Sequence, residues 1–253
     1  MASFALVVNV MPVNHLSLLI FFALTLLVSK SVIASELIQP QYLDSERTDR
    51  FFAREIAQPS KENMQLRNSL DWGYELELKR ASDEEKLVSN CQDLATANST
   101  GFTAAKAYEY GAFKAYLTQC QTWSEMAKLA ASKRSFISDF KLDDTFPNFA
   151  PSALAFVISD ESAEKAKTLS TWDEADHIQR TQVISEVRAE YYDSTDGFQV
   201  ITVTAKGDYN ADGIEDIVIE KENSVLSGSY SSSHGYVLTR MSEQALFTVL
   251  AEW

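Results

Sequence analysis

An α+β fold is predicted for this chain, with an N-terminal helical pair packed on a C-terminal twisted antiparallel sheet that carries an acidic loop hairpin. Three observations predict it. Between residues 82 and 132 apolar side chains return every three or four positions; Tyr108, Ala112, Tyr116, Cys120, Trp123, Ala127 and Ala130 form one such stripe, the period of an amphipathic helix. Beyond residue 151 the pattern shortens to alternation and to β-branched runs bounded by turn residues, the mark of strands. The two patterns occupy separate stretches, which favours helices segregated from an antiparallel sheet over alternating βα units.

In chain order, residues 1–34 read as a signal peptide. Leu16 to Val28 is a nearly unbroken apolar core of thirteen residues, shorter than the roughly 20 needed to span a bilayer. Val32-Ile33-Ala34 follows as a cleavage pattern, so Ser35 is the expected mature N-terminus. No Lys or Arg precedes the core, and an uncleaved anchor extended upstream by Phe4 to Val8 is the alternative. Residues 35–80 read as weakly structured, punctuated by Pro40 and Pro59, with a short helix at 45–57 and a strand or helix lead-in at Trp72 to Leu78.

The helical region covers 81–145. Ser82-Asp83-Glu84-Glu85 resembles a capping box and starts a first helix carrying Leu87, Cys91 and Leu94. A second helix is expected over 103–132. Cys91 and Cys120 fall on apolar faces, and outside the cytoplasm an isolated pair is expected to bond. Phe146 to Pro151 breaks helical structure and marks a boundary.

Residues 152–253 form the β-rich region, beginning with a short apolar run at 153–159 and a helix at 161–169. Strands are expected at 182–192, 198–205, 214–220, 236–240 and 246–251, joined by short connections into a meander with one face on the core. One connection differs from the rest. Gly207-Asp208-Tyr209-Asn210-Ala211-Asp212-Gly213-Ile214-Glu215-Asp216 places acidic or amide side chains at alternating positions, then glycine at the bend. Asp208, Asn210 and Asp212 can converge by side chain, Ile214 by its carbonyl, and Asp216 closes the shell. That pattern suits a hard cation with oxygen ligands, Ca2+ before Mg2+.

Asp208 to Asp216 resemble the calcium-binding loops of integrin-type FG-GAP repeats, which run Asp-x-Asn/Asp-x-Asp-Gly-x-x-Asp into a strand, as this loop does into Ile217-Val218-Ile219. The loop departs from the EF-hand, having Ile219 where a bidentate glutamate belongs. The resemblance implies a Ca2+ cofactor that gathers repelling charges and pins the hairpin. FG-GAP loops usually build a propeller in arrays; a single copy argues against one.

Composition narrows the function classes. Asp and Glu number 36 against 22 Lys and Arg, a formal net charge of −14, which opposes nucleic acid or anionic membrane as partner. Tyr230, Ser233 and His234 lie in a serine-rich stretch that reads as a candidate recognition hairpin; it has no Gly-x-Ser-x-Gly elbow to support a nucleophile. Acid pairs such as Asp143-Asp144 and Asp160-Glu161 read as caps or solvated turns. No catalytic residue is assigned. The sequence points to an exported protein, periplasmic or extracellular, of a bacterial envelope, more a binding or structural module than an enzyme. Its expected partners are calcium and a protein or glycan of the envelope, with no integral membrane role after cleavage. A secreted calcium-dependent hydrolase and an acidic partner or inhibitor of a basic envelope protein are the alternatives.

Overall fold

The computed structural model describes residues 36–43, 51–53 and 59–253. The predicted signal peptide and most of the predicted helix at 45–57 lie outside the described residues. Among the described residues no helix is long and apolar enough to cross a membrane.

Helices and antiparallel sheets are both present, as an α+β fold requires. A principal sheet runs in the order β10-β9-β8-β7-β6-β5: β5 Ile178–Ser185, β6 Arg188–Asp193, β7 Gly197–Gly207, β8 Asp216–Val225, β9 Ser231–Thr239 and β10 Thr248–Glu252. Every pairing is antiparallel, and β1, Gln41–Tyr42, pairs with β7 beyond the end of β6. The meander is therefore observed. The single strand expected at 182–192 is instead the hairpin β5–β6, turning at Glu186-Val187. Its two arms differ in burial: Ala189 and Tyr191 are buried on β6, whereas Val183 on the edge strand β5 is exposed.

The expectation of one core-facing side is corrected. Ala205, Val218 and Val237 belong to one core, while Ile201, Val203, Ile217, Ile219, Tyr236 and Leu238 belong to another on the opposite face. Both faces of the central strands are covered, so β7 and β8 read as nearly continuous apolar runs instead of alternating. The first core is completed by Phe52, Trp72, Phe113, Trp123 and Met126. The second is completed by Ile137, Leu142, Phe146, Ala150, Leu154 and Trp172 from the connecting segment.

Residues 59–80 are more ordered than the sequence implied. They contain α1, Lys61–Arg67, with Met64 fully buried, and β2, Leu76–Lys79. The helix expected from the Ser82 capping box is not formed. Asp83 adopts a left-handed conformation, φ 62°, and the acidic stretch turns β2 back into β3, Glu85–Val88. A turn residue at positive φ cannot start a helix, and Asp tolerates that conformation. The helix α2 starts later, at Cys91–Ser99, where the Asn90 side chain accepts the Asp93 N–H at 2.8 Å.

The long helix expected over 103–132 is shorter. Thr103–Ala104 is β4, which pairs with β2, and α3 spans Tyr110–Met126. The pair of helices is therefore interrupted by a three-stranded sheet of order β3-β2-β4. The expected disulfide is present: Cys91, the first residue of α2, bonds Cys120 of α3 with Cα atoms 5.4 Å apart. The boundary at Phe146 to Pro151 holds a one-turn helix α4, Phe146–Phe149, whose Pro147 sits in the first turn, where a missing N–H costs nothing. Residues 153–159 form no strand. Two short helices follow, α5 at Asp160–Lys167 and α6 at Trp172–Ala175.

Candidate metal centre

The loop 208–215 joins β7 to β8 and is fastened from outside by residues 130–134. Asp208 exchanges backbone hydrogen bonds with Ala130 at 2.8 and 2.9 Å, and the Gly213 carbonyl accepts from the N–H groups of Lys133 and Arg134. The Glu215 N–H then donates to the Arg134 carbonyl at 2.9 Å. Both ends are thus held before any ion is considered. Gly213 sits at φ 86°, where a side chain would be strained. Ala211 adopts φ 64°, an uncommon state for alanine that leaves the turn tight.

Inside the loop the predicted ligands serve the backbone. Asp208 Oδ1 accepts the Asp212 N–H at 3.2 Å and Oδ2 the Gly213 N–H at 2.8 Å. Asn210 Oδ1 accepts the Asp212 N–H at 3.1 Å, while its Nδ2 donates to Asp212 Oδ2 at 3.0 Å. Asp212 Oδ1 accepts the Ile214 N–H at 2.7 Å. Each oxygen retains a further lone pair. None of the hydrogen bonds among the described residues ends on the Ile214 carbonyl. Asp208 is buried, Asp212 and Asn210 are exposed, and Asp216 is wholly buried at the root of the loop.

Asp216 carries the electrostatic tension. Its Oδ2 accepts the Tyr209 N–H at 2.9 Å, but Oδ1 is buried with no hydrogen-bond partner. Burial pushes its carboxyl up to about 6; Thr239 and the Tyr209 N–H pull the other way, and Asp212 and Asp208 add repulsion. The Thr239 hydroxyl therefore lies close enough to act on the carboxylate, yet it too lacks a partner of hydrogen-bond geometry. Proximity without alignment leaves both oxygens unsatisfied. Among the described residues no group of three or more His, Cys, Asp and Glu side chains stands in metal-holding geometry. The donor types fit a hard cation, and the orphaned Asp216 oxygen fits one too; the outer donors are turned onto backbone N–H groups and one another.

The loop is also tied to α3. The Tyr209 hydroxyl donates to Glu125 Oε2 at 2.6 Å, and Lys128 and Gln121 bind the same carboxylate. Burial raises the Glu125 carboxyl, but these three donors outweigh it and hold it below its ordinary value. Neither this tie nor Thr239 was visible in the sequence. Both come from residues more than twenty positions from the loop, and only the antiparallel neighbour β9 brings Thr239 alongside.

The serine-rich stretch lies on the hairpin of β8 and β9. Ser231–Thr239 is strand β9, so the turn is confined to residues 226–230. Side chains alternate across a strand: Ser233 shares the face of Val237, His234 that of Tyr236 and Leu238. Ser233 and His234 therefore face opposite sides of the sheet. Burial, with Lys221 and Lys114 adding, pushes His234 down to about 4. Tyr230 is exposed at the turn and its ring lies 5.6 Å from that of Phe156. This turn and the acidic loop sit at opposite ends of the ten-residue β8, ~30 Å apart at about 3.3 Å per residue.

Ser233 lines a cleft of about 440 Å³ with Tyr74, Tyr116, Gln119, Glu220 and Glu222. Scans against protein-family models, curated proteins and solved structures each returned no match to the chain.

Proposed function

We propose that this chain is an exported envelope protein whose β-rich region is a calcium-stabilised binding or structural module without a catalytic role. The observation that carries the reading is the buried, unpartnered Asp216 Oδ1 beneath two further aspartates. A hard cation would be held by Asp208, Asn210, Asp212 and Asp216 through side chains and by Ile214 through its carbonyl. It would supply positive charge where three carboxylates repel. The apolar segment at Leu16 to Val28 and the Cys91–Cys120 disulfide support export to an oxidising compartment, periplasmic or extracellular. We also read α2 and α3 as a stapled pair standing on the sheet. The cleft beside Tyr116 and Ser233 is the concave surface we assign to an envelope protein or glycan.

In thermal melts of the purified protein, chelator should lower the melting temperature and added Ca2+ restore it. Asp212→Ala should weaken that response. A wild-type protein indifferent to both additions refutes the metal reading.

A further inference from the structure

A second group of buried oxygens lies on the other face of the sheet, at the far end of β7 from the acidic loop. Asp193 ends β6, Gln199 lies near the start of β7, and Asp176 follows α6. The Asp193 carboxylate is divided in its duties. Oδ1 accepts the Thr195 N–H at 2.6 Å, the Thr195 hydroxyl at 2.9 Å and the Gly197 N–H at 3.0 Å. Oδ2 is buried with no partner. Gln199 is fully buried; its Nε2 reaches the Leu154 carbonyl at 3.5 Å and its Oε1 has no partner. Asp176 Oδ2 is likewise buried and unpartnered. Asp193, Gln199 and the Phe156 N–H all lie close enough to Asp176 to act on its carboxyl.

The nearby cation does not answer this need. Lys221 is 3% exposed and has three N–H donors. They go to the carbonyls of Ala153, Leu154 and Ala155 at 3.3, 3.2 and 3.3 Å. Asp176 Oδ2, Asp193 Oδ2 and Gln199 Oε1 therefore remain without a hydrogen-bond partner. One water brings two protons, and a proton shared by the aspartates answers only two of the oxygens. The packing here is close: a Cβ on Gly197 would collide with Asp193 Oδ2 at 2.3 Å and with the Phe156 ring at 2.4 Å, so only glycine lets the backbone pass this near the carboxylate. Asp176 is only partly buried, so the group is not sealed from solvent.

We propose that Asp176, Asp193 and Gln199 form a second cation site, binding one hard, oxygen-seeking ion through Asp176 Oδ2, Asp193 Oδ2 and Gln199 Oε1. Two carboxylates and an amide oxygen are the donors such ions take. The site is independent of the loop at 208–216 and does not rest on it.

The test uses the full chain stripped with chelator, in four forms: wild type, Asp212→Ala, Asp193→Asn and the double variant. Each is titrated with CaCl2, and with MgCl2 for comparison, by calorimetry and thermal melting. Asp212→Ala should keep a Ca2+-dependent rise in melting temperature of roughly 4 °C or more at 100-fold excess over Kd, and the double variant should lose it. Asp193→Asn alone should keep only the response of the loop. If Asp193→Asn does not fold, Gln199→Met on the Asp212→Ala background takes its place, with at least a tenfold loss of Ca2+ affinity expected. An Asp212→Ala protein flat in both titrations overturns the proposal and leaves a shared proton as the occupant. A loop that fails to bind shows instead as an Asp212→Ala response equal to wild type, with Asp193→Asn flat.

Discussion

Replacing Asp216 by asparagine should stabilise the metal-free protein while removing its response to calcium. Asp216 is fully buried, and its carboxyl is raised from the ordinary 3.8 to about 6. At about 1.4 kcal/mol per pH unit, ionising it in the folded state costs ~3 kcal/mol. The sign follows from proton binding. Between about pH 4 and 6 the folded state holds this proton and the unfolded state does not, so stability falls as pH rises through that window. Above it the loss is complete. Asparagine has no charge to bury; its oxygen can still accept the Tyr209 N–H, and its amide faces the Thr239 hydroxyl. In EDTA at pH 8 the variant should therefore exceed wild type by up to ~3 kcal/mol, or about 5–10 °C in Tm for a chain of this size. The advantage should vanish near pH 4. Saturating Ca2+ should reverse the order, since 1,000-fold excess over Kd adds about 4.1 kcal/mol to a protein that binds it. Urea denaturation followed by fluorescence of the four tryptophans reads all of these conditions. A variant less stable than wild type at pH 8 in EDTA refutes the buried-charge argument.

Three further outcomes are expected. Reducing Cys91–Cys120, which closes a separation of 29 residues, should cost about 3–4 kcal/mol in the loop-entropy account, measured as a drop in urea midpoint with dithiothreitol. Gly235→Ala puts a Cβ 2.1 Å from the Trp253 ring; it should destabilise by ~1–3 kcal/mol and shift the emission of Trp253 as its bond to Thr122 breaks. Tyr209→Phe removes one donor from Glu125, for ~1.5–3 kcal/mol. Because that bond fastens the loop to α3, hydrogen exchange should accelerate at 208–214.

The sequence by itself determined much of the C-terminal half. Runs such as Val200 to Ala205 and Ile217 to Glu220 are bounded by turn residues close enough to force antiparallel neighbours, and the structure forms them as β7 and β8. The acidic loop was legible because its spacing is local, and the disulfide because two cysteines have only one pairing. Nonlocal competition decided the rest. Ser82 to Glu85 carries helix-start chemistry, but β2 offers β3 a hydrogen-bonding edge and the capping signal becomes a hairpin turn. Composition marks the serine stretch as a hairpin but does not reveal its pairing; register with β8 extends β9 through it and sends Ser233 and His234 to opposite faces. Tertiary structure alone brought Thr239 to Asp216, and Asp176 to Asp193 and Gln199. A chain sets its local geometry by spacing, but which distant oxygens end up buried together depends on strand register and on the layers that close over the sheet.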